Sequence, residues 1–233
     1  MVPGRVAHNN HREDGTVIAA CQRVARRLFL TNLAQAIYAR FERVRQEAAL
    51  RAWERDRSMP PPHLLKQRTV RSYAAAFSLD ILVETGTYLG AMVEATKDVF
   101  GRIYTIELEG DLCARARRRF ARHQHISVIE GDSSQVLPVI LAQIRQPCLF
   151  WLDAHYSGVI SARGRQESPI TQELGHILSH PVPGHVVLID DAREFVGKGG
   201  YPALGELQST VRMTHPDWVF EVRDDIIRMH TKG

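Results

Sequence analysis

Five apolar runs, each four to six residues long, end abruptly in glycine or in a carboxylate, and helix-like stretches follow the first three. Residues 81–85 (Ile-Leu-Val-Glu-Thr) run into Gly86, and residues 91–100 then have helical spacing. The rhythm repeats with strand-like 103–107 and helical 111–123, strand-like 126–129 and helical 134–144, then strand-like 148–153 and 185–190. Such alternation predicts a mostly parallel sheet covered by helices on both faces, with ligands bound beyond the carboxyl ends of the strands. The chain ends differently. Residues 218–222 and 226–230 are β-like runs around Arg223-Asp224-Asp225, which predicts an antiparallel hairpin at one sheet edge and seven strands in all.

The N-terminal region has another character. Residues 1–70 hold 13 Lys and Arg against 6 Asp and Glu, whereas residues 71–233 hold 17 against 20, so the formal charge of +4 comes from the N-terminal side. Val24, Leu28, Leu33, Ile37, Phe41 and Val44 recur at three to five residues, predicting one long or two shorter amphipathic helices. A basic arm can dock on nucleic acid or an anionic surface, but arginines along such a helix commonly form a solvated face. No aromatic interleaving or nucleic-acid motif accompanies them, so no nucleic-acid partner is expected. Ser58-Met59-Pro60-Pro61-Pro62-His63 cannot continue a helix and favours an extended linker. The expected organisation is a basic helical arm over 1–57, suited to homo-oligomer contacts, a proline-rich linker over 58–69 and an α/β domain over 70–233.

Composition narrows the class. With 44% hydrophobic and 24% charged residues, the chain is neither disordered nor fibrous. No apolar run approaches the roughly 20 residues of a membrane-spanning helix, and Arg23, Arg26 and Arg27 interrupt the apolar stretch over 17–30. A cytoplasmic protein is expected. Cys21, Cys113 and Cys148 are odd in number and widely spaced, which argues against a disulfide framework and a zinc site.

The strand ends carry the chemistry. Glu84-Thr85-Gly86-Thr87-Tyr88-Leu89-Gly90 is an E-x-G-x-x-x-G turn, matching neither the dinucleotide G-x-G-x-x-G nor a phosphate-binding P-loop. An acid before the loop disfavours phosphate and suits a positively charged ligand. Glu107 ends the second run about 20 residues on, where a carboxylate accepts both hydroxyls of a ribose. Gly131-Asp132-Ser133 follows the third run and offers polar groups to the edge of a base. Each also has a plainer role: Glu84 paired with an arginine, Glu107 at the surface, Asp132 capping the next helix.

The fourth and fifth runs are sharper. Trp151-Leu152-Asp153 and Leu188-Ile189-Asp190-Asp191 drive apolar strands straight into carboxylates, and neighbouring parallel strands lie about 4.8 Å apart. If these two strands are neighbours, Asp153, Asp190 and Asp191 converge. Converging carboxylates either take up protons or hold a cation, and an all-oxygen donor set selects a hard ion such as Mg²⁺, Mn²⁺ or Ca²⁺. The structural alternative has Asp191 capping a helix and Asp190 paired with Arg193.

In this order, Glu84/Gly86, Glu107, Gly131-Asp132-Ser133, Asp153 and Asp190-Asp191 resemble the class I S-adenosylmethionine-dependent methyltransferases. Among these the chain is similar to the metal-dependent O-methyltransferases of the catechol and macrocin types, over residues 70–230. The resemblance implies a Rossmann-like doubly wound fold. It places the methionine part of S-adenosylmethionine against Glu84, Gly86, Thr87 and Gly90, the ribose against Glu107, and the adenine against Asp132 and Ser133. It places a divalent cation, with Mg²⁺ the expected ion, on Asp153, Asp190 and Asp191. The arm and the segment 156–169 depart from the family pattern, which leaves the acceptor open. LFWLDAHYSG and VLIDDAREF also resemble uncharacterised bacterial proteins.

The expected activity is O-methylation of a sugar or small-metabolite hydroxyl, with Asp153 or His155 as proton acceptor. Residues 156–169, with Gly158, Arg163, Gly164 and Arg165, are expected to form a lid. The alternatives are another metal-dependent enzyme on this fold and a non-catalytic adenosyl-ligand-binding or scaffold protein.

Overall fold

The computed structural model describes residue 40 and residues 44–57, 60–153 and 168–232. The chain divides into two compact units, Met1–Ala52 and Trp53–Gly233. Of the first, residues 44–52 are helical; most of the expected arm lies outside the described residues.

The second unit is built on one seven-stranded sheet of order β3-β2-β1-β4-β5-β7-β6. Its strands are β1 (Ile81–Thr85), β2 (Arg102–Glu107), β3 (Ile126–Glu130), β4 (Leu149–Leu152), β5 (Val186–Ile189), β6 (Trp218–Arg223) and β7 (Ile226–Thr231). β1 to β5 pair in parallel, and β7 is antiparallel to both β5 and β6. The expected sheet and hairpin are therefore present. Asp224 and Asp225, at φ 55° and 61°, make the two-residue turn, since positive φ at both positions gives it the twist the strands need.

Alternate strand residues face opposite sides, so the near-continuous apolar runs supply two cores. Val83, Phe150, Leu152, Val187 and Ile189 pack with α4 (Ser133–Leu141), α5 (Ile170–Leu178) and α6 (Leu204–Thr214). Leu82, Leu149, Trp151 and Leu188 pack on the other face with α1 (His63–Ala76), α2 (Ala91–Thr96) and α3 (Gly110–Phe120).

Helix α1 corrects the expected linker. Pro60–Pro62 are not helical, but helix starts at His63, so residues 63–69 belong to α1. Lys66, Thr69, Val70 and Ala74 are its buried residues, a helical stripe that turns this segment onto the sheet. The proline run serves as an acceptable helix start, because Pro62 precedes the first helical residue and loses no intrahelical hydrogen bond.

Gly90 fixes the entry into α2. It has φ 73°, and a Cβ there would lie 2.8 and 2.9 Å from ring carbons of buried Phe120. Replacing Gly90 with alanine adds both backbone strain and overlap, so Gly90→Ala is expected to lower unfolding stability by about 2–4 kcal/mol in urea titrations.

Candidate functional site

Registers in the centre of the sheet bring the predicted acids to one edge. Leu152 pairs with Ile189 and Thr85 with Leu152, so the next residues, Gly86, Asp153 and Asp190, emerge side by side. The Asp153 N–H donates to the Thr85 carbonyl at 3.2 Å, and that of Asp190 to the Leu152 carbonyl at 2.9 Å. Oxygens of Asp153, Asp190 and Asp191 lie within 4.8 Å of one another. Three carboxylates at that spacing fit a hard divalent ion by donor chemistry.

A residue missed at the sequence level sits among them. The Lys66 ammonium on α1 lies 2.5 Å from Asp190 Oδ2 and 3.6 Å from Asp191 Oδ1. Burial opposes its charge, but Asp190, then Asp191 and Asp153, outweigh that and raise its pKa. Burial also pushes Asp190 up, to about 7, against the pull of Lys66. The Asp191 N–H donates to Asp190 Oδ1 at 2.9 Å. Arg193 pairs with Asp191, at 2.8 Å, rather than with Asp190, and also reaches Asp225 in the hairpin turn. Asp191 precedes the short 3₁₀ turn Ala192–Glu194 but makes no side-chain cap, so the simple capping alternative does not account for it.

The glycine loop touches this cluster. A Cβ on Gly86, at φ 89°, would lie 3.4 Å from both Cβ and the carbonyl oxygen of Asp153. The Gly86 and Thr87 N–H groups donate to the Ile106 carbonyl, tying the loop to β2. Tyr88 is exposed and held at φ 46°, a rare conformation for a side chain of its size; its N–H donates to Glu107 Oε2 at 2.7 Å. The Glu109 N–H donates to Glu107 Oε1 at 3.0 Å. Glu107 is thus aimed by two backbone donors while each oxygen keeps acceptor capacity, which fits the recognition of a vicinal diol. The Gly131 N–H reaches the Glu107 carbonyl at 2.9 Å, bringing the third loop alongside.

Two predicted cofactor contacts turn inward. Glu84 shares the sheet face of Leu82, and its carboxyl and the Thr87 hydroxyl are buried. Thr105 donates to Glu84 at 2.5 Å and meets the Thr87 hydroxyl at 2.5 Å. These side chains brace the loop from beneath rather than line its surface. Asp132 caps α4, accepting the Ser134 N–H at 2.9 Å and its hydroxyl at 2.7 Å, so the plainer role is realised there; Ser133 is the first residue of α4. Glu173 of α5 was not predicted at all. Burial pushes its pKa to about 7 although the Ser133 and Thr85 hydroxyls oppose the shift. His155 and the greater part of the lid segment lie outside the described residues.

No family model matches the chain. A stretch of 54 residues is 43% identical to ribosomal RNA small subunit methyltransferase A of Mannheimia succiniciproducens, covering 23% of this chain and 19% of that protein. Among solved structures, the O-methyltransferase TomG from Streptomyces achromogenes, in complex with S-adenosylmethionine, superposes with a TM-score of 0.52 at 16% identity. That match covers 81% of this chain and 89% of TomG. A methyltransferase from Geobacter sulfurreducens also gives 0.52, at 13% identity over 85% of this chain and 96% of its own. The chain has the methyltransferase fold. Among the described residues, no helix is long and apolar enough to cross a membrane.

Glu84 makes this region pH-sensitive. Burial raises its pKa to about 8, the Thr105 bond opposes this, and Asp153 and Glu107 add to it. Folding therefore favours the protonated form, so its contribution is fully present below the unfolded pKa of about 4.5 and is lost as pH rises towards about 8. Glu84→Gln removes that dependence. Between pH 5.5 and 8.5, wild type is expected to lose roughly 2–4 kcal/mol relative to Glu84→Gln in urea unfolding, and a constant difference would contradict the shift.

Proposed function

We propose that this chain is an S-adenosylmethionine-dependent O-methyltransferase assisted by a divalent cation, acting on a hydroxyl of a sugar or small metabolite. The observation that carries this reading is the contact between the glycine loop and the carboxylate cluster. Gly86 abuts Asp153, so a donor held on the loop and an acceptor held near the carboxylates share one lip of the sheet.

Gly86 lets backbone rather than side chain face the methionine part, and Gly90, whose Cβ would meet Phe120, closes the loop that holds it. Glu107 accepts the ribose hydroxyls, and Asp132 and Ser133 stand at the adenine end. Glu84 and Thr87 hold the loop in shape. Bound S-adenosylmethionine supplies a methyl carbon activated by its positive sulfur. Asp153, Asp190 and Asp191 are the residues that would hold the ion, which supplies positive charge that eases loss of a proton from a nearby hydroxyl. Either Asp153 or His155, two residues on, is the proton acceptor within this scheme. The closeness of donor and acceptor positions contributes by orientation, since displacement at carbon needs the attacking oxygen in line.

A second reading, an RNA acceptor, draws on the 54-residue likeness to an rRNA methyltransferase and on exposed Arg115 and Arg118 of α3. The two separate in one assay. Protein, labelled S-adenosylmethionine and Mg²⁺ are incubated with either nucleotide sugars, glycans and phenols or structured RNA, and methylated product is identified by mass spectrometry. The first panel is expected to be methylated.

The site residues separate as well. Glu107→Ala is expected to weaken S-adenosylmethionine binding in calorimetry by about ten- to hundred-fold, having lost a bidentate acceptor. The double change Asp190→Asn and Asp191→Asn is expected to leave that affinity within a few-fold and reduce methyl transfer at least about hundred-fold. Absence of S-adenosylmethionine binding by the wild-type chain would defeat the proposal.

A further inference from the structure

Lys66 occupies the place in the carboxylate cluster that a bound cation would claim. Its Nζ is 2.5 Å from Asp190 Oδ2 and 3.6 Å from Asp191 Oδ1, with only a tenth of its side chain exposed. A divalent ion such as Mg²⁺ or Mn²⁺ sits about 2.1 Å from its oxygen ligands. Coordination of that ion by Asp190 and Asp191 would draw on the same oxygens and bring a doubly charged ion next to the ammonium. The two cations repel at that separation, in a region where burial weakens solvent screening.

The attachment of Lys66 leaves its ammonium less tied than the helix body. It stands one turn into α1, directly behind Pro60–Pro62, and the N-terminus of that helix has no side-chain cap. The rest of α1 is anchored independently of Lys66. Val70 and Ala74 are buried in the core, and Arg71 bonds the Ala95 carbonyl and Asp98 beside α2. The ammonium rides on four flexible methylenes, so it can leave the cluster while the helix body stays packed.

We propose that Lys66 is a tethered cation that competes with a divalent ion at the Asp190-Asp191 pair, holding Asp190 beside the Arg193–Asp191 ion pair when no ion is bound and being expelled when one binds. This rests on the divalent-cation reading given above. The consequence is a site that avoids bare buried carboxylates in the metal-free protein and whose metal affinity is set partly by α1. Lys66 here acts through the carboxylates and positions them; it need not touch either substrate.

Two measurements on the full chain test this at one fixed pH. In the first, wild-type protein is acetylated with and without Mn²⁺, and modification of each lysine is read by mass spectrometry. Mn²⁺ is expected to raise Lys66 labelling several-fold while Lys97 and Lys198 stay unchanged. In the second, Mn²⁺ affinity is measured by electron paramagnetic resonance for wild type, Lys66→Met and Lys66→Gln. Either variant is expected to bind Mn²⁺ at least about ten-fold more tightly and to gain more thermal stability from it than wild type does. If wild type binds Mn²⁺ with Lys66 labelling unchanged, or both variants bind no more tightly than wild type, the competition is overturned and the metal reading stands. If neither wild type nor a folded variant binds Mn²⁺, both are overturned. Should both variants fail to fold, the labelling experiment decides alone.

Discussion

The carboxylate cluster at the sheet edge follows from parallel pairing between β4 and β5. Because Leu152 pairs with Ile189, the chain emerges from both strands at the same height, and the residues that emerge are Asp153 and Asp190. Asp191 then turns back at φ 54°, adding a third carboxylate within reach. Negative charge gathered where water is scarce must be met by something positive or by protons. In this structure Lys66 meets Asp190 and Arg193 meets Asp191, while Asp190 is still pushed towards its neutral form. The positions of α1 and of the β6–β7 turn are thereby tied to the same electrostatic requirement.

The glycine loop solves a related problem with hydroxyls. Glu84 lies wholly inside, and its neighbours Thr105 and Thr87 form a short polar chain that keeps its carboxyl from being stranded. Above that chain, Gly86 and Gly90 allow the backbone to turn, and Tyr88 is held in an unusual conformation by its bond to Glu107. A residue held at such a φ persists only where the surrounding structure fixes it, here through the Glu107 bond and the flanking glycines. Glu84 and Glu107 are thus both buried, one braced by hydroxyls beneath the loop and the other held by the backbone N–H groups of Tyr88 and Glu109.

Much of this was legible in the amino-acid order. Strand runs at 81–85, 103–107 and 126–129 differ from the observed elements by at most one residue, since unbroken apolar runs bounded by Gly and Asp leave few alternatives. The helices over 63–76, 170–178 and 204–214 were not assigned. In α1 the Pro60–Pro62 run dominates the local signal, and its buried stripe contains Lys66 and Thr69, which do not read as apolar. Glu173 went unnoticed because a single glutamate on a helix resembles any solvated one until the helix is seen to press it inward. The inward turn of Glu84 and Thr87 depends on which face of β1 is up, a matter the loop motif alone leaves open.

By itself the sequence determined that acidic residues would stand at the ends of successive parallel strands, because each follows directly on an apolar run and a strand delivers its next residue to the sheet edge. It also determined the closing hairpin, through Arg223-Asp224-Asp225 between two β-like runs, of which the structure leaves Asp224 and Asp225 as the turn. Only the tertiary structure decided what meets those acids. Lys66 and Asp190 are 124 positions apart, and no periodicity or motif links them. Their pairing exists because α1 folds over the same sheet face as Leu188 and Asp190, so the helix stripe that buries Val70 and Ala74 carries the ammonium onto the carboxylate as well.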